Sequence, residues 1–111
     1  MTLTSAFHSK GTWPGVEAAP GVERRVLTSG DHMMVVQFTI QPGAEVPLHT
    51  HPHEQIGYVA KGAIEFTIGE EKVVIRAGDG YVIPGGVPHG CLALEDSLAL
   101  DIFAPVREEY K

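Results

Sequence analysis

The sequence predicts an all-β fold, a single barrel or sandwich of short strands, and three observations carry that reading. Its 13 glycines and 8 prolines recur at short intervals, so no segment keeps a 3.6-residue apolar stripe long enough for a stable helix. Apolar residues instead alternate with polar ones over runs of about four to eight positions, the period of a half-buried strand. A length of 111 residues supports one hydrophobic core and leaves no room for a second domain.

Residues 1–21 form an extended, turn-rich N-terminal arm, because Trp13-Pro14-Gly15 and Pro20-Gly21 interrupt any regular period. The stretch is either a loose tail or an arm laid on this or a neighbouring subunit. Trp13 favours the arm, since a large aromatic ring is seldom left in water. Residues 22–111 then form the barrel domain. Val22–Thr28 and Met33–Gln41 are the first strand runs, and in the second Met34, Val36, Phe38 and Ile40 share one face. Ile56–Lys61 and Ala63–Ile68 flank Gly62 in the manner of a hairpin. Lys72–Arg76, Tyr81–Ile83, His89–Leu94 and Ser97–Phe103 follow, separated by Gly-, Asp- and Glu-containing turns. The spacing predicts roughly eight or nine strands in all. Tyr58-Val59 and Leu98–Phe103 are apolar on both faces, which predicts cover on the outside as well as the inside, and hence a homodimer.

Charge and composition narrow the functional classes. A net charge of −6 argues against a nucleic-acid or anionic-membrane surface, both of which need clustered Lys and Arg. Cys91 is the sole cysteine, so no intrachain disulfide contributes. No run of 18 apolar residues and no charged-then-apolar leader is found, and a cytoplasmic location is the expectation.

The chemistry concentrates in Gly43–Gly62, where His49, His51, His53, Glu54 and Gln55 fall within seven positions. A mononuclear metal site needs three or four ligands converging on one point, with a position left open if it is catalytic. On a strand, His49 and His51 project to the same side, toward the barrel interior. Pro52 ends regular pairing, and a short turn delivers Gln55 to the start of the next strand. His89 opens another strand after the Pro84-Gly85-Gly86 turn. His49, His51, Gln55 and His89 are therefore the candidate ligands of one divalent transition metal ion per chain, with nickel, zinc, iron and manganese all compatible. Glu54 rivals Gln55 if the turn is one residue shorter, and His53 shares the parity of the two ligand histidines. Cys91 is read as a buried apolar cysteine rather than a thiolate ligand. One further residue stands out: Asp101 interrupts an apolar strand, a costly placement unless it is paired, solvated or close to a cation. Facing the metal cavity, it would be placed to move protons.

These motifs resemble the two signatures of the cupin superfamily. The first reads Gly43-x5-His49-x-His51-x3-Gln55-x6-Gly62 and the second Gly78-x5-Pro84-x-Gly86-x2-His89. Two positions depart from the usual pattern: Gln55 stands where glutamate is common, and Ala93 where asparagine is common. The resemblance implies a single-domain jelly-roll barrel, the double-stranded β-helix. Over residues 21–107 the chain further resembles the uronate-linearising cupins of the KdgF type. His-Glu-Gln-Ile-Gly-Tyr-Val at 53–59 and Asp101-x-Phe103-x-Pro105-x-Arg107 carry that likeness. It implies metal ligands His49, His51, Gln55 and His89, a catalytic Asp101, and substrate contacts from Phe103 and Arg107. The implied activity is metal-dependent conversion of 4,5-unsaturated monouronates, from pectin or alginate breakdown, to the linear keto form. The implied partner is a small sugar acid. A metal-dependent cupin dioxygenase and a non-catalytic sugar-acid-binding cupin are the rival readings, and the missing carboxylate at position 55 weighs against the first.

Overall fold

The computed structural model describes residues 6–111, and among these the chain forms ten strands and one short 3-10 turn. The strands are β1 (Val16–Ala19), β2 (Val22–Ser29), β3 (Met34–Ile40), β4 (Glu45–His49), β5 (Glu54–Lys61), β6 (Ala63–Ile68), β7 (Glu71–Arg76), β8 (Gly80–Ile83), β9 (His89–Ala93) and β10 (Ser97–Ala104), followed by the turn Glu108–Tyr110. They build two sheets in which every pairing is antiparallel. One has six strands in the order β1-β2-β3-β10-β5-β8 and the other four in the order β4-β9-β6-β7. The fold is the all-β, two-sheet barrel that the strand pattern predicts.

Alternation sorts the residues as expected. On β10, Ser97, Ala99, Asp101 and Phe103 are buried, while Leu98, Leu100 and Ile102 lie half-buried on the outer face. On β3, Met34, Val36 and Ile40 point inward. One end of the interior is filled by Val22, Ile40, Val59, Ile64, Phe66, Ala93 and Ala99. The other is filled by Val26, Met34, Val36 and Phe103, with Trp13, Val106 and Tyr110 packed against them. Burying a side chain the size of Phe103 or Met34 is worth about 1.5–3 kcal/mol each, so these layers anchor the strands that carry the polar site.

Three details differ from the sequence reading. First, the stretch read as a turn-rich arm contains β1, which pairs with β2 from Val16 opposite Arg24 to Ala19 opposite Val22. Residues 1–5 of that stretch lie outside the described residues. Trp13 rests on this chain's own core, with its carbonyl accepting from Arg25 Nη1 at 3.1 Å. Second, Gly62 is not a hairpin turn, because β5 and β6 belong to opposite sheets. At φ +91° it turns a corner that a side chain would obstruct, since a Cβ there would overlap Ser97 and the Asp96 carbonyl. Third, β4 stops at His49, so His51 lies beyond the strand and the simple i, i+2 parity argument does not apply to it.

Candidate metal centre

Three different pieces of backbone bring the histidines together. His49 ends β4 and pairs in register with His89 at the start of β9. His51 follows two residues later on the turn into β5, and that turn folds it back beneath the other two. The ring centroids of His49 and His89 are 4.2 Å apart, those of His51 and His89 4.7 Å, and those of His49 and His51 5.7 Å. One ligand nitrogen from each lies within 4.8 Å of the others. His51 and His89 are buried, whereas His49 is exposed and marks the open side.

Hydrogen bonding decides how the three rings present themselves. In each, Nδ1 lies against a backbone carbonyl: Pro47 for His49 at 2.9 Å, His53 for His51 at 3.0 Å, and Val87 for His89 at 2.9 Å. A carbonyl only accepts, so every Nδ1 carries the proton and every Nε2 carries a free lone pair. His89 Nε2 is buried with no hydrogen-bond partner. His51 Nε2 faces Gln55 Oε1 at 3.1 Å, one acceptor against another. Lone pairs converging in this way are satisfied by a cation, so the residues fit a bound metal ion on the chemistry of their donors. The two buried rings are also shifted toward the neutral form that a ligand needs. Burial, followed by the nearby Arg107 charge, pushes His51 down to about 4. Burial is the main cause of the downward shift at His89 as well.

Gln55 and Asp101 form the floor of the site. Gln55, the second residue of β5, is buried and donates Nε2–H to Asp101 Oδ2 at 2.5 Å. That bond turns its Oε1 toward the imidazoles. Asp101 is 3 % exposed and accepts a second hydrogen bond from the Tyr81 hydroxyl. Burial raises its carboxyl to about 7 against the partial offset of these two donors. Tyr81 is itself pushed well above its usual range, first by burial and then by the Asp101 charge.

A cavity of about 70 Å³ adjoins these groups, bordered by His49, Gln55, His89, Asp101, Phe103 and Arg107 among others. Phe103 forms a wall, its ring edge-on to His51 at 5.7 Å and to Tyr110 at 5.6 Å. The Arg107 guanidinium lies over the Tyr110 ring at 4.3 Å and donates Nη1–H to the Tyr110 hydroxyl at 2.7 Å. Its Nε and Nη2 both donate to Glu109 Oε2, at 3.2 and 3.1 Å.

Six of the seven residues singled out from the sequence therefore border one cavity, and the seventh, His51, packs against His49, His89 and Gln55 beside it. Of the rivals, Glu54 points to solvent, and His53 lies outside the three-nitrogen cluster while its carbonyl orients His51. Cys91 borders the cavity with its thiol pushed up to about 12, mainly by burial. Tyr81 and Tyr110 escaped the sequence reading. For Tyr81 a signal existed in Gly57: a glycine in the interior of a strand marks a close approach by a neighbour.

Comparison with known proteins agrees with the fold. Residues 36–103 match the family model described as a cupin domain. The pectin degradation protein KdgF of Dickeya dadantii is 35 % identical over 99 residues, spanning 87 % of this chain and 90 % of that protein. The structure of KdgF from Halomonas sp. superposes with a TM-score of 0.88 at 34 % identity, covering 97 % of this chain and all of that one. An RmlC-like cupin from Shewanella frigidimarina superposes with a TM-score of 0.89 at 27 % identity over the full length of both chains.

Proposed function

The chain belongs to the cupin family, and from that premise we propose that it is a metal-dependent isomerase that opens 4,5-unsaturated monouronates to their linear keto form. The observation that carries the proposal is Asp101, a buried carboxyl raised to about 7 beside the imidazole cluster and joined to it through Gln55. A group titrating near neutrality both accepts and returns a proton at working pH, as a tautomerisation demands.

His49, His51, Gln55 and His89 would hold the ion. When bound, a divalent cation in this neutral donor set acts as a Lewis acid toward a substrate oxygen. The remaining steps belong to the protein. Asp101 removes the proton from the hemiacetal hydroxyl. The C1–O5 bond breaks as the C1 carbonyl forms, leaving an enolate oxygen on C5 beside the C4–C5 double bond. Asp101 then returns the proton to C4, and the C5 ketone results. No electrons leave or enter the substrate, so no oxidant is needed.

Phe103 supplies an apolar wall that restricts water, and Arg107 grips the substrate carboxylate. Support for the second role comes from Glu109, whose oxygen already bridges Nε and Nη2 of the guanidinium. Glu109 is mostly exposed, so exchanging it for a substrate carboxylate costs little.

We further propose that the chain is a homodimer built on the outer face of the six-stranded sheet. Ile56, Tyr58 and Val82 are exposed there, and an apolar groove of about 300 Å³ runs between Val35, Ile56, Tyr58, Leu100 and Ile102.

The deciding experiment incubates metal-loaded protein with unsaturated monogalacturonate and follows loss of the enol-ether absorbance. Turnover that vanishes in Asp101→Asn supports the proposal. Binding without turnover would make this a sugar-acid-binding cupin, and oxygen uptake by the iron-loaded protein would make it an oxygenase.

A further inference from the structure

The register of three neighbouring strands places Tyr81, Gly57 and Asp101 in one row. Gly57 of β5 is directly opposite Tyr81 of β8 on one side and Asp101 of β10 on the other. Tyr81 and Asp101 are thus two strands apart, about 10 Å between backbones at the usual strand spacing, yet their side chains touch. They touch because Gly57 leaves the intervening space empty. A Cβ at position 57 would overlap the Tyr81 ring carbon and hydroxyl and Asp101 Oδ1. The Tyr81 ring is fixed on its other side by Phe66, with centroids 4.3 Å apart and planes at 36°. The next row along the same strands is Ile83, Gln55 and Phe103, which puts the Gln55 amide beside the other oxygen of Asp101.

We propose that Tyr81 is a positioning residue for the metal site, acting across Gly57 to lock Asp101 and, through it, the orientation of the Gln55 amide. The inference rests on the reading of His49, His51, Gln55 and His89 as ligands. An amide can present either its oxygen or its NH2 group to the imidazole lone pairs, and only the oxygen is a ligand. The carboxylate of Asp101 selects the oxygen by capturing the NH2 group. It does so only while its own rotation is stopped, and among the described residues the Tyr81 hydroxyl is the other hydrogen-bond partner of that carboxylate. Tyr81 borders no part of the cavity that holds the ligand atoms, so its effect on the site passes through Asp101.

Two variants test this. Tyr81→Phe keeps the ring against Phe66 and removes only the hydroxyl, while Gly57→Ala keeps the hydroxyl and obstructs its path. A first measurement uses metal-free protein and follows the Gln55 side-chain NH2 signals by NMR. Slow solvent exchange in the parent, with faster exchange in Tyr81→Phe, is expected; identical exchange in the two overturns the proposal. A second measurement titrates Co²⁺ and records both affinity and the visible d–d bands. Affinity is expected to fall by about 10- to 100-fold in Tyr81→Phe, with altered bands, as for loss of other groups that orient metal ligands. Unchanged affinity and bands in Tyr81→Phe overturn the proposal even if the parent binds Co²⁺. A parent that binds no Co²⁺ instead overturns the ligand reading itself, and the proposal with it. Thermal melts of both variants separate loss of positioning from loss of fold: a fall in affinity that merely tracks a fall in melting temperature counts against the proposal.

Discussion

Replacing Asp101 by asparagine separates what its charge does from what its shape does. The asparagine Oδ1 accepts from Gln55 Nε2 as the carboxylate does, and its Nδ2 donates to the Tyr81 oxygen, which accepts as readily as it donates. Both neighbours are kept, Gln55 keeps its orientation, and only the transferable proton is lost. Metal affinity is therefore expected to survive while turnover disappears. The same substitution has a second, independent consequence in the metal-free protein. Burial lifts the Asp101 carboxyl from 3.8 to about 7, so the folded chain binds a proton more tightly than the unfolded chain does. Its contribution to stability is complete below pH 4 and is lost as pH rises toward 7. A shift of about three units corresponds to about 4 kcal/mol, a large part of the stability of an ordinary domain. Asparagine does not titrate. The difference in unfolding free energy between the variant and the parent should thus grow in the variant's favour between pH 5 and pH 8. Urea denaturation at several pH values, with chelator present, measures it. Parallel pH dependence in the two proteins would refute the burial argument, and unchanged turnover by the metal-loaded variant would refute the catalytic one.

Metal binding should be visible as stabilisation: Ni²⁺ or Zn²⁺ at a hundred times its dissociation constant adds about 2.7 kcal/mol, read as a rise in melting temperature. His51→Ala should lose most of that rise, and an undiminished rise would remove His51 from the ligand set. Arg107→Lys replaces a planar fork with a point charge and should raise KM for the unsaturated uronate about tenfold or more while kcat changes less. A KM equal to the parent's would take Arg107 out of substrate recognition. Ile56→Glu places a charge in the middle of the apolar outer face and should shift the protein to monomer in sedimentation velocity. A parent that already sediments as a monomer would refute the dimer.

The sequence was most legible where a residue's role depends on its near neighbours. Asp101 stood out because it is the lone carboxylate in a strand apolar on both faces, which left its side open, and the structure buries it on the face of Ala99 and Phe103. Gln55 was preferred to Glu54 on the length of the turn after Pro52, and the structure buries Gln55 and exposes Glu54. The histidines required less, since their spacing alone brings them together. Yet the path was misread for His51, which reaches the cluster by a turn rather than along β4. Long-range features were hidden for a physical reason. Whether Gly62 makes a hairpin or a corner between sheets depends on which strands β5 and β6 find as partners, and those partners are β10, β8, β9 and β7. The contact between Tyr81 and Asp101 likewise depends on the registers of β5 with both β8 and β10.

The most informative departure from the cupin pattern, glutamine in place of glutamate at position 55, is explained by the residue behind it. A glutamate there would set its carboxylate against that of Asp101, at the distance where Gln55 now makes a 2.5 Å hydrogen bond. Two carboxylates so close cannot both ionise, and one would hold a proton between them. That arrangement would leave the site with the same net charge it has now, but with the proton trapped in the pair rather than available to a substrate. Glutamine avoids this. Its oxygen faces the imidazoles, its nitrogen satisfies the acid, and the negative charge sits one residue further from the ligand atoms, where burial tunes it to near neutrality. The neutral donor set and the buried acid are therefore two sides of one arrangement. On the proposed function, this pair at positions 55 and 101 would serve proton transfer, the amide oxygen turned to the imidazoles that would hold the ion and the amide nitrogen turned to the acid.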